Sequence, residues 1–216
     1  MLGSFIRHGL SEEEAAGEAL LQIVAGSDTS AGTIRAVMLN VLTNPHIYKT
    51  LQDEIDTCIK AGAVSSPIRD AEARSMPYLQ AVIKEGLRIL PPASGAMFKQ
   101  VPPGGDIVDG KYLPGGTQIG GSALGIQRLK SIYGPDVDHF RPERWIEASQ
   151  AKAAEMASTV DLVFHYGKWQ CIGKSVAMME FNKIFVEVRP NSAFMCVVAD
   201  RNSAPPPIRL QRLSGG

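Results

Sequence analysis

Apolar residues recur three and four positions apart through the first part of the chain, at Ala16, Leu20, Ile23 and Val24 and again at Ile34, Val37, Met38 and Val41. That spacing is helical. Ser11 with Glu14 three residues on forms a capping box at its start, and Pro45 closes the run. The pattern predicts one helix of about 30 residues, well above the usual length. A second helix follows, with Ile47, Leu51, Ile55 and Ile59 on one face and Gly62 past its end. A third starts near Pro77, carries Leu79, Val82, Ile83 and Leu87, and stops at Pro91-Pro92. The middle of the chain changes character. In IVDGKYL, Asp109-Gly110 stands between two short apolar pairs, which signals a hairpin. LPGGTQIGG reads as continued turn chemistry and FRPERW as another irregular stretch. Helical spacing returns from Lys174 to Val188 until Pro190 cuts it, and FMCVVADRNSAPPPIRL reads as one strand and a Pro-rich tail. No repeat and no low-complexity linker interrupts the sequence. The predicted class is mainly α with a minor β-sheet.

Composition narrows the function. At 216 residues, with 44% hydrophobic and 20% charged positions, the chain can build a proper core. Its 22 Lys and Arg balance 22 Asp and Glu, which removes the electrostatic drive toward nucleic acid, and no basic run interleaves with aromatics. Three cysteines, Cys58, Cys171 and Cys196, are too few and too scattered for a disulfide framework. A reducing compartment is expected. No run of about 18 apolar residues is present to span a bilayer. The opening MLGSFIRHGL lacks the sustained apolar core of a signal peptide and reads like the middle of something longer.

Three segments could carry chemistry. The long helix contains AGSDTS, Ala25 to Ser30, whose five consecutive poor helix formers together cost roughly 3 kcal/mol relative to alanine. Two readings stay open. In one, Gly26 permits close packing and the polar residues face water. In the other, hydroxyl and carboxylate groups compete with the backbone and open the helix, admitting a small polar ligand beside Asp28 and Thr29. On the third helix, Glu85 and Arg88 share a face at i, i+3. They form either a solvated surface pair or, given their apolar neighbours Ile83, Leu87, Ile89 and Leu90, a buried one that needs a further partner. Arg144 in FRPERW is a candidate. The strongest local signal is FHYGKWQCIG, Phe164 to Gly173, leading into a helix. Cys171 sits just before that helix, where unpaired backbone N–H groups favour a thiolate. Gly167 and Gly173 let backbone approach something flat and large, and Phe164 offers an aromatic face. Cys58 and Cys196 read as small buried hydrophobes. No second Cys or His stands at zinc-ligand spacing from Cys171. A Cys171–His165 acyl-transfer pair is conceivable, but nothing marks an oxyanion hole.

Taken together and in order, these segments resemble the cytochrome P-450 family. AGSDTS is similar to its oxygen-binding helix signature, KEGLR supplies its E-x-x-R, FRPERW matches the motif that follows, and FHYGKWQCIG resembles its heme-thiolate loop. Lys168-Trp169-Gln170, with MPYLQAVIKEGLRI, resembles the filamentous-fungal branch around pisatin demethylase. The resemblance covers nearly the whole chain, yet only about the last two-fifths of a family member. It implies that residues 1–216 form the C-terminal portion of a single domain of that fold. The N-terminal membrane anchor, a propionate-gripping helix and the substrate lid would be missing. Apolar residues meant for those parts would lie exposed, an aggregation liability.

The resemblance also implies roles. Cys171 would be the metal ligand, the axial thiolate of a heme (iron protoporphyrin IX), pushing electron density toward O–O cleavage. Ala25 and Gly26 would line the heme's other face. Asp28 and Thr29 would be catalytic, delivering protons to iron-bound oxygen. Glu85, Arg88 and Arg144 would form a structural triad supporting the Cys loop. Lys99 would meet a propionate, Phe164, Gly167, Lys168 and Gly173 would contact the cofactor, and Ala93 to Phe98 would approach the substrate. Trp169 stands where the family usually has Arg or His, and Lys168 is the candidate to replace that propionate contact. The implied activity is a heme-thiolate monooxygenase acting with O2 on a small apolar or aromatic molecule, in fungal secondary metabolism or detoxification. Its electron donor would be a reductase of the NADPH-cytochrome P-450 type, at the cytoplasmic face of the endoplasmic reticulum. Two alternatives remain: a non-catalytic fragment with little or no heme binding, and a related isomerase or dehydratase. The Asp28-Thr29 pair disfavours the latter, which needs no proton relay to oxygen.

Overall fold

The structure is a computed structural model that describes residues 2–188. After a short first helix, α1 (Leu2–Arg7), α2 runs unbroken from Glu12 to Thr43. The capping box is formed: Glu14 N–H donates to Ser11 Oγ, and the Ser11 N–H donates to Glu14 Oε2 at 2.8 Å. Asn44 ends α2 and opens α3 (Pro45–Lys60), so Pro45 both closes one helix and sits in the first turn of the next. The predicted apolar face of α3 is buried through Ile47, Leu51 and Ile55, and Gly62 beyond its end has φ +68.

A short helix α4 (Asp70–Arg74) precedes α5 (Pro77–Ile89). The Pro77 start leaves unpaired N–H groups, and Glu54 of α3 accepts two of them, from Tyr78 and Leu79, each at 2.8 Å. Nine of the thirteen α5 residues are buried, so this helix is the centre of the core. Gly86 on α5 faces Val37 of α2, where a Cβ would collide with a Val37 methyl. That close approach is what the glycine allows.

Two small antiparallel sheets follow. Strand β1 (Ala96–Gln100) pairs with β4 (Gln118–Ser122), with Phe98 opposite Gly120 and Lys99 opposite Ile119. Between them, β2 (Asp106–Val108) and β3 (Lys111–Leu113) form the expected hairpin, with Asp109 and Gly110 at φ 51 and 71. The expectation of turn chemistry throughout LPGGTQIGG is corrected: from Gln118 the chain is strand. Gly120 and Gly121 masked it, because they contribute no alternating pattern.

Short helices α6 (Ala123–Ile126), α7 (Lys130–Tyr133) and α8 (Arg144–Glu147) carry the chain round, so FRPERW ends in a helical turn rather than being irregular throughout. Helix α9 (Gln150–Val160), capped by Ser149, was not predicted; it presents mainly Ala, Ser and Thr, and only Met156, Thr159 and Val160 are buried. Two 3-10 turns, Asp161–Phe164 and Gly167–Trp169, lead to α10 (Lys174–Glu187), close to the expected range. Helix α10 buries Phe181, Phe185 and Val186 against the core. Its Asn182 joins Gln80 of α5 and Asp70 of α4 by hydrogen bonds of 2.9 and 2.7 Å. Pro190, Cys196, and the predicted strand and Pro-rich tail lie outside the described residues.

Candidate functional site

The segment from Asp161 to Gly173 is a loop built of two 3-10 turns, pinned at its waist. The Cys171 N–H donates to the Phe164 carbonyl at 2.8 Å, and the Gln170 N–H donates to the Gly167 carbonyl at 3.0 Å. His165 and Gly167 lie in the left-handed region, at φ 61 and 63, which turns the chain back on itself. Gly167 has open space where a side chain would stand, and a Cβ on Gly173 would only touch Cys171 Sγ at 3.8 Å. Cys171 is exposed, two residues before the N-cap of α10. Around it Ile172 is 100% exposed, Trp169 63% and Val176 53%.

Phe164 differs from the expected open aromatic face. It is buried, and the Lys174 ammonium lies 5.6 Å from its ring centroid. Lys168 instead lies over Trp169, at 5.2 Å. Cys58, as expected of a small hydrophobe, packs half-buried against the core.

A single thiol, open space at the Cβ position of Gly167 in the same loop and uncovered apolar side chains suit a broad, flat, largely apolar metal complex held through one sulfur. The residues present therefore fit a heme.

Behind the loop lies a buried charge network. Glu85 and Arg88 are fully buried and Arg144 nearly so. Arg88 donates through Nε and Nη2 to the two Glu85 oxygens at 3.0 and 2.8 Å, and Arg144 Nε donates to Glu85 Oε1 at 3.0 Å. The Trp145 indole and the Arg141 backbone N–H also donate to Glu85, each at 2.9 Å. The remaining guanidinium donors reach the carbonyls of Gln127, Tyr133, Asp136, Val137 and His139. Such saturation is what lets three charges sit in a core. Burial works against the charged form of Asp136, but hydrogen bonds from Arg144 and Arg141 outweigh it and hold its carboxyl below the usual carboxylate range. Burial pushes the Tyr133 phenol up.

The network reaches the loop through a residue sequence reasoning passed over. Buried Gln127 accepts Arg88 on its carbonyl, accepts the Tyr133 hydroxyl at 2.7 Å, and donates to the Thr159 carbonyl at 2.8 Å. Thr159 stands on the last turn of α9, just ahead of Asp161. Trp145 was also missed as a partner of Glu85, although its place after Arg144 in FRPERW was a usable signal.

On α2, AGSDTS does not open the helix. The Ser27 and Thr29 hydroxyls donate to the Ile23 and Ala25 carbonyls at 2.7 and 2.8 Å, adding to the ladder rather than replacing it. Gly26 has nothing within 4 Å of a would-be Cβ, so it is not a packing glycine either. Ala25, Gly26, Asp28 and Thr29 are all exposed, as is Lys99 on β1. Among the described residues, no hydrogen bond or ion pair joins them to the Cys171 loop. No described helix is long and apolar enough to cross a membrane.

The family model described as Cytochrome P450 matches residues 5–188. A cytochrome P450 monooxygenase ABA1 of Pyricularia oryzae is 50% identical over 198 residues, which is 91% of this chain and 39% of that protein. A counterpart of Botryotinia fuckeliana is 44% identical over 188 residues, 87% of this chain and 37% of that one. A pisatin demethylase of Fusarium vanettenii is 36% identical over 171 residues, 79% and 32%. The chain thus spans about two-fifths of the length of the curated relatives it matches.

Proposed function

The chain belongs to the cytochrome P450 family, and on that premise we propose that it carries the heme-thiolate centre of a monooxygenase, with Cys171 as the axial ligand. The observation that supports this best is the exposed Cys171 thiol on a pinned loop with uncovered apolar side chains beside it. When bound, heme supplies the activation of O2 that lets one oxygen atom pass to an organic substrate, with electrons from a reductase partner.

The chain's own residues do the rest. Cys171 offers sulfur at the end of α10, where the first N–H groups of the helix favour negative charge. Gly167 and Gly173 leave room for a close approach. Lys168 and Lys99 are the cations assigned to the propionates. Thr29 Oγ, now bonded to the Ala25 carbonyl, can turn its proton toward an acceptor, and the exposed Asp28 carboxylate beside it can resupply one from water. The substrate is a small apolar or aromatic molecule of fungal secondary metabolism or detoxification, in keeping with the relatives' names. The electron donor is a reductase of the NADPH-cytochrome P450 type at the endoplasmic reticulum.

The test is the ferrous carbon-monoxide spectrum of the heme-loaded chain. A red-shifted thiolate band is expected, and Cys171→Ser should abolish it. A Cys171→Ser protein that took up heme with the parent's spectrum would overturn the assignment. A second reading, that the chain alone takes up heme weakly or not at all, is favoured by the exposure of Leu20, Leu21, Ile23 and Val24 on α2. A heme titration of the parent decides it, since the chain would then gain no heme absorption.

A further inference from the structure

Lys174 is the first residue of α10 and lies on the far side of the loop from Asp161, yet its side chain spans the loop's two ends. Its ammonium pairs with Asp161 Oδ2 at 2.9 Å and sits 5.6 Å from the centroid of the Phe164 ring. Asp161 and Phe164 begin and end the 3-10 turn that leads into the loop. Phe164 is also the residue whose carbonyl receives the Cys171 N–H. Among the described residues, this is the only ion pair between α10 and the segment ahead of the loop. We infer that Lys174 is a positioning residue for Cys171, a clasp that closes the loop base so that the sulfur is held at one place relative to α10.

The loop has two open ends, and among the described residues the backbone hydrogen bond from Cys171 to Phe164 sets their separation at the thiol. A cation anchored on α10 that reaches both Asp161 and the Phe164 ring restrains the partner of that bond from two directions. Phe164 is buried and Lys174 is 30% exposed, so the ammonium meets the ring away from much competing water, whereas Asp161 at 58% exposure contributes the weaker hold. This inference rests on the thiolate reading for its purpose but not for its geometry.

Amide hydrogen exchange of the heme-free 216-residue chain tests it first. The Cys171 amide should exchange about threefold faster in Lys174→Met, the size expected for a partly exposed ion pair, and faster by a smaller factor in Asp161→Asn, which leaves the ring contact in place. The double variant should exchange no faster than Lys174→Met, and Lys174→Arg should match the parent. In the heme-loaded protein, the red-shifted carbon-monoxide band should decay about threefold faster in Lys174→Met than in the parent or Lys174→Arg. Unchanged exchange, or effects that add in the double variant, would sink the clasp. Faster exchange with an equally durable band would remove its role in holding the ligand. If the parent itself shows no thiolate band, the heme-thiolate reading fails while the exchange result still judges the clasp.

Discussion

At Glu85 a carboxylate with no exposed surface accepts five hydrogen bonds, from Arg88 twice, Arg144, Trp145 and the Arg141 backbone. Each donor offsets part of the cost of taking that charge out of water. Trp145 contributes in two ways: its indole N–H points at Glu85 Oε2, and its ring meets Tyr133 edge-on at 6.2 Å between centroids. Trp145→Phe keeps much of the ring and deletes the N–H. It should cost about 2 kcal/mol, the range for a hydrogen bond to a charged group, measured as a shift of the urea unfolding midpoint. A loss below about 0.5 kcal/mol would mean the arginines alone satisfy Glu85. The Glu85–Arg88 spacing and Arg144 as a third member were legible in the sequence, because a helical i, i+3 pair among apolar neighbours demands a partner. Gln127 was not, since nothing local distinguishes a glutamine whose side-chain amide bonds Tyr133 and Thr159 while its main-chain carbonyl accepts from Arg88 from one on the surface.

The packing of α2 on α5 turns on Gly86, whose missing side chain leaves room for Val37. A helix-interior glycine costs about 1 kcal/mol against alanine, so its presence between Glu85 and Leu87 signals a close approach that periodicity alone does not reveal. Gly86→Ala gains that propensity but drives a methyl into a fully buried valine, which should leave a net loss of about 1–3 kcal/mol. Val37→Ala makes room. The double variant should therefore be less destabilised than the sum of the two singles, and strict additivity in thermal unfolding would show that the helices simply move apart. Long, strongly periodic helices such as α3 and α5 were read with their ends correct because prolines and Gly62 punctuate them. Strand β4 and helix α9 escaped because a Gly-Gly pair and a run of small residues carry neither period. The AGSDTS segment shows the converse: five poor helix formers left a local opening as one of two readings, yet the Ser27 and Thr29 hydroxyls bond within the helix and the flanking turns carry it through.

Among the described residues, exposed apolar side chains gather on the first half of α2, where Leu20, Leu21, Ile23 and Val24 are 57–63% exposed, at the rim of the Cys171 loop, and on the β2–β3 hairpin at Ile107, Val108 and Tyr112. The core lies elsewhere, where α5 meets the second half of α2, α3 and α10. Water therefore contacts apolar surfaces that the folding of the described residues does not bury, and covering them by any further contact is favourable, association between molecules included. Exposed side chains contribute little to stability, so changing them should separate solubility from folding. Replacing Leu20, Ile23 and Val24 together with serine should cut concentration-dependent association, followed by light scattering, several-fold. The melting temperature should move by no more than about 6 °C, since surface changes are worth about 0.5 kcal/mol or less each and add. A fall well beyond that would place these residues in a packed interface within the chain, whereas unchanged association with an unchanged melt would shift the cause to Trp169, Ile172 and Val176, which the same substitution can test in turn.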